Sequence, residues 1–343
     1  MKEFIHYKTH SQYSICEGAV KISELAEYCK KNKIFAVGIS DTNNLSGALE
    51  FSNELSKAGT QPVIGNQLNI KLNFNNQYTI GKVSIIAKDA KGYENMLNLS
   101  SKSYLELKEN EDINCPFDDL VKFSEGLIIL AGGTNSLIYK LILNNNDEQV
   151  DFFLNEIKRK IKDDLYIEIQ RHKEVNDNLI EKKLLFFSNK LSIPIIATHE
   201  VFYIEKDMYE AHDAYICVGE KTYVNEKKRL KYSSEHYFKS SDEMKLLFND
   251  LPDALINNFN LIKKIKYFPK KCQPLLPNLK DNNIDLDLAI KEQAYEGLKY
   301  RLENFVFKDI TDENNKNAVD KLYNSRLKYE LEMIIKMKFA GYF

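Results

Sequence analysis

This chain of 343 residues contains no apolar run near the roughly 18 consecutive residues that a membrane span needs, so a cytoplasmic location is expected. Its five cysteines, Cys16, Cys29, Cys115, Cys217 and Cys272, are scattered, odd in number and without a CxxC pair. That pattern fits reduced thiols and argues against a zinc ribbon or a disulfide framework. Histidine is scarce, six in all, with no HxH pair. No GxSxG occurs, and no cysteine has a histidine partner in sequence that would nominate a nucleophile. The turn at Gly132-Gly133 lacks the spacing of a P-loop or a dinucleotide fingerprint. The formal net charge is −2, so nothing draws the whole chain toward nucleic acid, and any such contact must come from local patches.

What is present is an ordinary globular composition, 43% hydrophobic and 29% charged, in a chain longer than one core usually supports. Up to about residue 200, short apolar runs alternate with amphipathic helical patterns. Strands are expected at Ile5–Tyr7, 35–39, 62–65, 83–87, 126–130, 165–170 and 193–197, with helices at 20–32, 46–58, 92–107 and 176–191. Strands this short and this continuously apolar predict parallel pairing buried on both faces, in a closed or nearly closed α/β barrel. Two helices, 242–248 and 253–265, follow. Pro269, Pro274 and Pro277 then mark a linker, which predicts units at 1–268 and 269–343. Beyond it lie helical patterns at 286–302 and 318–337, the second with Leu322, Leu327, Leu331, Ile334 and Ile335 expected on one face. The ending Phe339-Ala340-Gly341-Tyr342-Phe343 suggests a chain cut within a domain.

Side chains able to hold a metal fall at the predicted strand ends: His10, Glu17, Asp41, His172, His199 and Glu200. Ligands converging from several strand ends are what a multi-metal centre needs. At any one position the simpler reading is a polar group bonded to its neighbours. As a set, their shared placement at one end of a barrel keeps a metal or phosphate pocket open. His6 reads as a packed strand residue, His212 as a helix residue with a surface or packing role, and His236 as a loop or strand-edge residue. The run Glu226–Arg229 reads as a solvated loop, with a DNA contact as the weaker option.

Several segments carry a family likeness. They are Phe4–Ser14 with Glu17-Gly18-Ala19, Ile39–Ala48, Gln61–Gly65, Ala87–Tyr93, Tyr166–His172 and Ala197-Thr198, then Arg326–Met337 and Phe339–Phe343. In order and nearly end to end, they resemble the alpha subunits of bacterial DNA polymerase III. The resemblance implies an N-terminal PHP (polymerase and histidinol phosphatase) domain, a distorted (β/α)7 barrel of the α/β class. A mostly helical C-terminal segment opening the polymerase region would follow. Family members that bind metal hold a multi-metal centre in this barrel. Here the first His of its HxH motif is Lys8, while His10, Glu17, Asp41 and His172 match. Thr42 replaces a His, Gln67 a Glu, Lys82 a His, Gly133 a Cys, and Glu200-Val201-Phe202 the final Asp-x-His.

The resemblance therefore implies a degenerate site. Lys8 and Lys82 would stand in for cations and pair with Asp41, Glu17 or Glu200. No metal is expected in the barrel, with a weakly held single ion at His10, Asp41, His172 and Glu200 as the residual option. The barrel would act as a scaffold that docks the proofreading exonuclease subunit. The full-length protein would be a magnesium-dependent, DNA-directed DNA polymerase acting on DNA and deoxynucleoside triphosphates. Sliding clamp and other replisome subunits would bind elsewhere on it. Its catalytic aspartates would lie beyond residue 343, so this fragment should not polymerise. The alternatives are an active metal-dependent phosphoesterase or 3′-5′ exonuclease, and a freestanding binding module.

Overall fold

The computed structural model describes residues 3–75, 77–272 and 285–343. The chain divides into two compact units, Met1–Lys271 and Cys272–Phe343. Pro274 and Pro277 lie outside the described residues. Among the described residues no helix is long and apolar enough to cross a membrane.

The first unit is built on one curled sheet. Its strands are β1 (Lys8–Thr9), β2 (Ala36–Thr42), β3 (Gln61–Phe74), β4 (Gln77–Ala87), β5 (Cys115–Pro116), β6 (Leu127–Gly132), β7 (Leu165–Ile169), β8 (Ile195–Ala197) and β9 (Glu200–Val201). They follow the order β8-β7-β6-β4-β3-β2-β1-β9, with β5 added beside β3. β8 and β9 are the two ends of that path, yet only Thr198 and His199 separate them in sequence. One extended segment thus pairs with β7 through its first half and with β1 through its second, which brings the sheet round on itself.

Two expectations about strands need correction. The first ladder lies at Lys8–Thr9 rather than Ile5–Tyr7. The sheet is also mixed, because β4 runs antiparallel to both β3 and β6. The reason is legible in β3, where Leu68, Ile70 and Leu72 alternate with polar Gln67, Asn69, Lys71 and Asn73. That period of two carries the strand well past Gly65 into a long hairpin with β4.

Helices cover the outside: α1 (Ile22–Asn32), α2 (Ala48–Ala58), α3 (Ala90–Leu105), α4 (Phe117–Lys122), α5 (Leu137–Leu143), α6 (Asp147–Ile161), α7 (Asp177–Leu191), α8 (Tyr209–Gly219), α9 (Ser241–Leu247) and α10 (Pro252–Leu261). α1 shows why they sit there. Ile22, Leu25, Ala26 and Cys29 form one buried stripe, and the helix stops at Lys33 in a left-handed conformation. A large apolar layer lies between sheet and helices, containing Val37, Ile39, Ile64, Ile129 and Ile167. A second, smaller layer fills the barrel floor, where Tyr7, Val63, Ile128 and Tyr166 meet Leu261 of α10 and the following Ile262 and Ile265. Each such side chain contributes about 1.5–3 kcal/mol by burial.

One polar side chain closes the floor. Asn258 of α10, fully buried, accepts from the backbone N–H of Ile5 at 2.9 Å and donates to the carbonyls of Ile5 and Ala197, each at 2.9 Å. It does so before β1 has begun its ladder and where β8 pairs only with β7, so an amide does the work of missing strand bonds. The carbonyl of Asn258 in turn accepts from the Tyr7 hydroxyl at 2.9 Å. β1 and β2 approach closely at Gly38, where any Cβ would lie 2.7 Å from the carbonyl oxygen of Tyr7.

The second unit holds α11 (Leu286–Arg301) and α12 (Glu313–Lys336). α12 begins earlier than the periodicity suggests, because Asp312 accepts from the N–H of Asn315 and caps it. Its predicted apolar face is only partly right. Leu331 is buried but Leu322 is exposed. At about 100° per residue the two lie on opposite sides of the helix.

Replacing Asn258 by Ala is expected to destabilise the first unit by at least about 1–3 kcal/mol, since it strands buried backbone groups. Asn258→Asp should do the same, because a carboxylate cannot donate to the two carbonyls. Urea unfolding of both variants checks this, and wild-type stability would show that the seam is held elsewhere.

Candidate functional site

The mouth of the barrel is polar because the inward positions change character along the strands. On β7 Tyr166 belongs to the apolar floor, Glu168 is the next residue on that face, and Gln170 follows beyond the strand end. Leu165, Ile167 and Ile169 face the outer layer. Lys8 comes from β1, Gln67 from β3, Lys82 from β4 and Glu200 from β9. His10, Asp41 and Glu17 stand at or beyond strand ends.

Lys8 is the centre of this arrangement and is 1% exposed. Its Nζ lies 3.2 Å from Glu168 Oε1, 3.3 Å from Glu168 Oε2 and 3.8 Å from Glu200 Oε1. Burial alone would drive the ammonium toward neutrality, but the two carboxylates outweigh it and hold its pKa above the ordinary value. Glu200 also accepts from His10 Nε2 at 2.9 Å and Gln67 Nε2 at 2.8 Å. Burial opposes its charge, yet Lys8 and His10 keep its carboxyl well below the usual range. Glu168 is pushed up by burial in spite of Lys8 and Thr198. Glu168 lies nearer to the Lys8 ammonium, while Glu200 is reached by His10 and Gln67 as well. Glu168 is held by the Thr198 hydroxyl and by Gln170 Nε2 at 3.1 Å.

A second pair lies nearer the rim. Lys82 Nζ bonds to Glu17, whose other oxygen accepts from the Thr42 hydroxyl at 2.5 Å. Burial would raise the Glu17 carboxyl, but Lys82 and His10 bring it below its ordinary value. Asp41, by contrast, meets no lysine. It accepts from the Ser11 N–H, the Ser11 hydroxyl and the Ser14 hydroxyl, each at 2.7 Å, and burial still raises its pKa.

The structure thus brings Lys8, His10 and Glu200 together, and Lys82 with Glu17, but leaves Asp41 to serines. His172 is also apart. Its Nε2 accepts from the backbone N–H of Glu200 at 3.2 Å, and its ring stacks on His236 and His199 with centroids 4.1 and 4.6 Å away. His199 Nε2 meets the carbonyl of Tyr237 at 3.0 Å, away from the carboxylates. His236 lies outside the strands, beside the isolated bridge of Tyr203 with Tyr237, as expected of a loop or strand-edge residue, but it is fully buried and its Nδ1 donates to the carbonyl of Glu200 at 3.1 Å. His6 packs as expected, and His212 is buried with its Nε2 on the carbonyl of Glu17 at 2.8 Å. In the run Glu226–Arg229, Arg229 is not solvated but forks onto Asp213 at 2.6 and 2.7 Å.

Glu168, Gln170 and Thr198 are the pocket residues that sequence reasoning missed. The signal was the alternation of Tyr166, Glu168 and Gln170, which puts a carboxylate on the inward face of a buried strand.

These side chains do not fit a multi-metal centre. The donors of His10, Glu17, Asp41 and Glu200 are turned toward protein partners. Phe202 packs its ring on His10 with centroids 4.8 Å apart. Gly133 has φ +81°, a conformation that side-chain-bearing residues rarely adopt, and a Cβ there would lie 2.9 Å from Gln170 Oε1 and 3.0 Å from Glu168 Oε2. Among the described residues no group of three or more His, Cys, Asp or Glu side chains is arranged to hold a metal ion.

Comparison with known proteins gives three findings. Residues 6–172 match the PHP domain. The chain is 36% identical over 341 residues to the DNA polymerase III subunit alpha of Rickettsia conorii and 32% identical over 353 residues to that of Caulobacter vibrioides. Both matches cover 99% of this chain and 29% of the relative, so the chain spans less than a third of the length of these relatives. Among solved structures, it is similar to a two-domain protein from Bacteroides vulgatus containing a predicted PHP-like metal-dependent phosphoesterase. That match has TM-score 0.37 and 10% identity over 76% of this chain and 70% of the other, too distant to carry an argument.

Lys8→Met is expected to cost about 3–5 kcal/mol at neutral pH, because it leaves Glu168 and Glu200 buried without a cation. Adding Glu168→Gln should recover part of that loss. The deficit of Lys8→Met should shrink below about pH 5, as the stranded carboxylates take up protons. Lys82→Ala removes a partly exposed pair and should cost roughly 1 kcal/mol or less. In the wild type the signs are opposite. Glu200 and Glu17 are held below their ordinary 4.5, so their stabilisation is full above that value and falls as pH drops through it. Urea unfolding from acid to neutral pH checks all five outcomes.

Proposed function

Residues 6–172 belong to the PHP domain family and the whole chain is a relative of the DNA polymerase III alpha subunits, and on that premise we propose that it is the N-terminal part of a replicative DNA polymerase. Its barrel serves as a scaffold rather than as a metal-dependent hydrolase. The observation that carries this reading is the buried Lys8 ammonium seated between Glu168 and Glu200. A fixed cation inside the barrel answers the carboxylates that metal ions would otherwise answer. The remaining donors are satisfied by Gln67, Ser11, Ser14, Thr42 and Lys82.

In this reading, the full-length protein adds deoxynucleotides to a primer with magnesium supplied downstream of residue 343. The PHP barrel stiffens that enzyme and offers its outer surface to a separate proofreading exonuclease subunit. Hydrolysis of phosphoesters in the barrel itself would need a divalent cluster, and the lost ligands deny it a full coordination shell.

Purified protein is expected to contain less than one tightly bound zinc, manganese or iron per chain. Its melting temperature should also be unmoved by EDTA or by added zinc or manganese, since a ligand that binds only the folded state would raise it. Elemental analysis finding two or three ions per chain, with a matching loss of stability in EDTA, would overturn the scaffold reading in favour of an active phosphoesterase. This chain alone should not extend a primed template above a mock preparation.

A further inference from the structure

The opposite end of the barrel has a different character. A surface groove there is lined by Lys88 after β4, Lys160 and Lys162 at the end of α6, and Lys263, Lys264 and Lys266 after α10. The same groove holds Asp89, Asp163 and Asp164. The acids do not cancel the lysines evenly. Asp164 takes Lys88 at 2.5 Å and Lys264 at 3.1 Å, while Asp89 is spent as the cap of α3, accepting from the Gly92 N–H at 2.9 Å. Lys160, Lys162, Lys263 and Lys266 are all exposed. Two helical segments end here, and cations near helix C-termini are favourable in themselves. That explains a lysine or two at each end. It does not explain six meeting in one groove of a chain whose net charge is −2.

We propose that this groove binds the phosphate backbone of a nucleic-acid duplex, without reading its sequence. Three features select that partner. The cations are all lysine, point charges suited to phosphate oxygens, and no arginine lines the groove to fork onto a base edge or a carboxylate. No aromatic side chain lines it, so it lacks the stacking platform that single strands require. Ile161, half-buried, is its one apolar side chain among the described residues, which leaves no anchor for a protein partner. Backbone contact of this kind positions a duplex and is strongly salt-dependent. The inference concerns a surface remote from Lys8 and does not rest on how the pocket at the mouth is read.

The test is fluorescence anisotropy of a labelled duplex of mixed sequence, titrated with this chain over a range of salt concentrations. The variant carries Lys160→Ala, Lys162→Ala, Lys263→Ala and Lys266→Ala together. A control carries Lys30→Ala, Lys31→Ala, Lys57→Ala and Lys190→Ala, which removes as much charge from other exposed positions. The groove variant should bind at least about tenfold more weakly at low salt, with a log–log salt dependence shallower by roughly three to four units, while the control stays within about threefold of wild type. Thermal unfolding of each variant confirms that the fold is retained. Equal losses in both variants, no duplex binding by the wild type, or tighter binding of polyglutamate than of duplex would each overturn the proposal. Metal content is measured on the same preparations, so failure here is distinguishable from failure of the scaffold reading.

Discussion

A lysine ammonium buried inside a barrel must be answered by carboxylates, and the rest of the mouth follows from that demand. Lys8 at 1% exposure has Glu168 and Glu200 within reach, and two acids sharing one cation leave negative charge to be satisfied by other donors. His10 and Gln67 supply them to Glu200; Thr198 and Gln170 supply them to Glu168. Gln170 in turn accepts from the Thr134 N–H at 3.1 Å, which fixes the Gly132-Gly133 turn against the pocket. A network of this kind is specific because no member can be removed without stranding another.

The same logic explains how an acidic barrel mouth is held together by the protein's own side chains. Converging carboxylates repel each other unless something positive lies between them. A mobile divalent ion is one solution, and a tethered ammonium is another. The second needs no loading, because the cation is part of the chain. An ammonium neither polarises a phosphoryl group nor activates water as a divalent ion does.

Much of this was legible beforehand. The amphipathic spacing of Ile22, Leu25, Ala26 and Cys29 placed α1, and the strand-tip position of Asp41 placed it at the mouth. Lys8 and Lys82, at positions where the resemblance implies metal ligands, suggested a mouth that carries its own cations. Less legible was who answers them. Glu168 belongs to a strand that reads as simply apolar with one acid in it, and Asp41 lost its expected lysine to Ser11 and Ser14, which reach it through loop geometry that no spacing rule encodes. The histidines were hardest. Six of them scattered through the sequence gave no hint that His172, His199 and His236 would stack.

The sequence by itself determined the alternation of strands and helices and the chemical inventory of the mouth, in which Lys8 and Lys82 stand among the carboxylates. These depend on periodicity and residue type, which are local properties. Only the tertiary structure decided the pairings: Lys8 with Glu168 across 160 residues, Gln67 with Glu200 across 133, and Asn258 with Ile5 across 253. It also gathered Lys88, Lys160 and Lys264 from three separate segments into one groove. Such contacts are set by how the sheet curls and where α10 plugs it, and a one-dimensional pattern carries no information about which distant segments a closing barrel brings face to face.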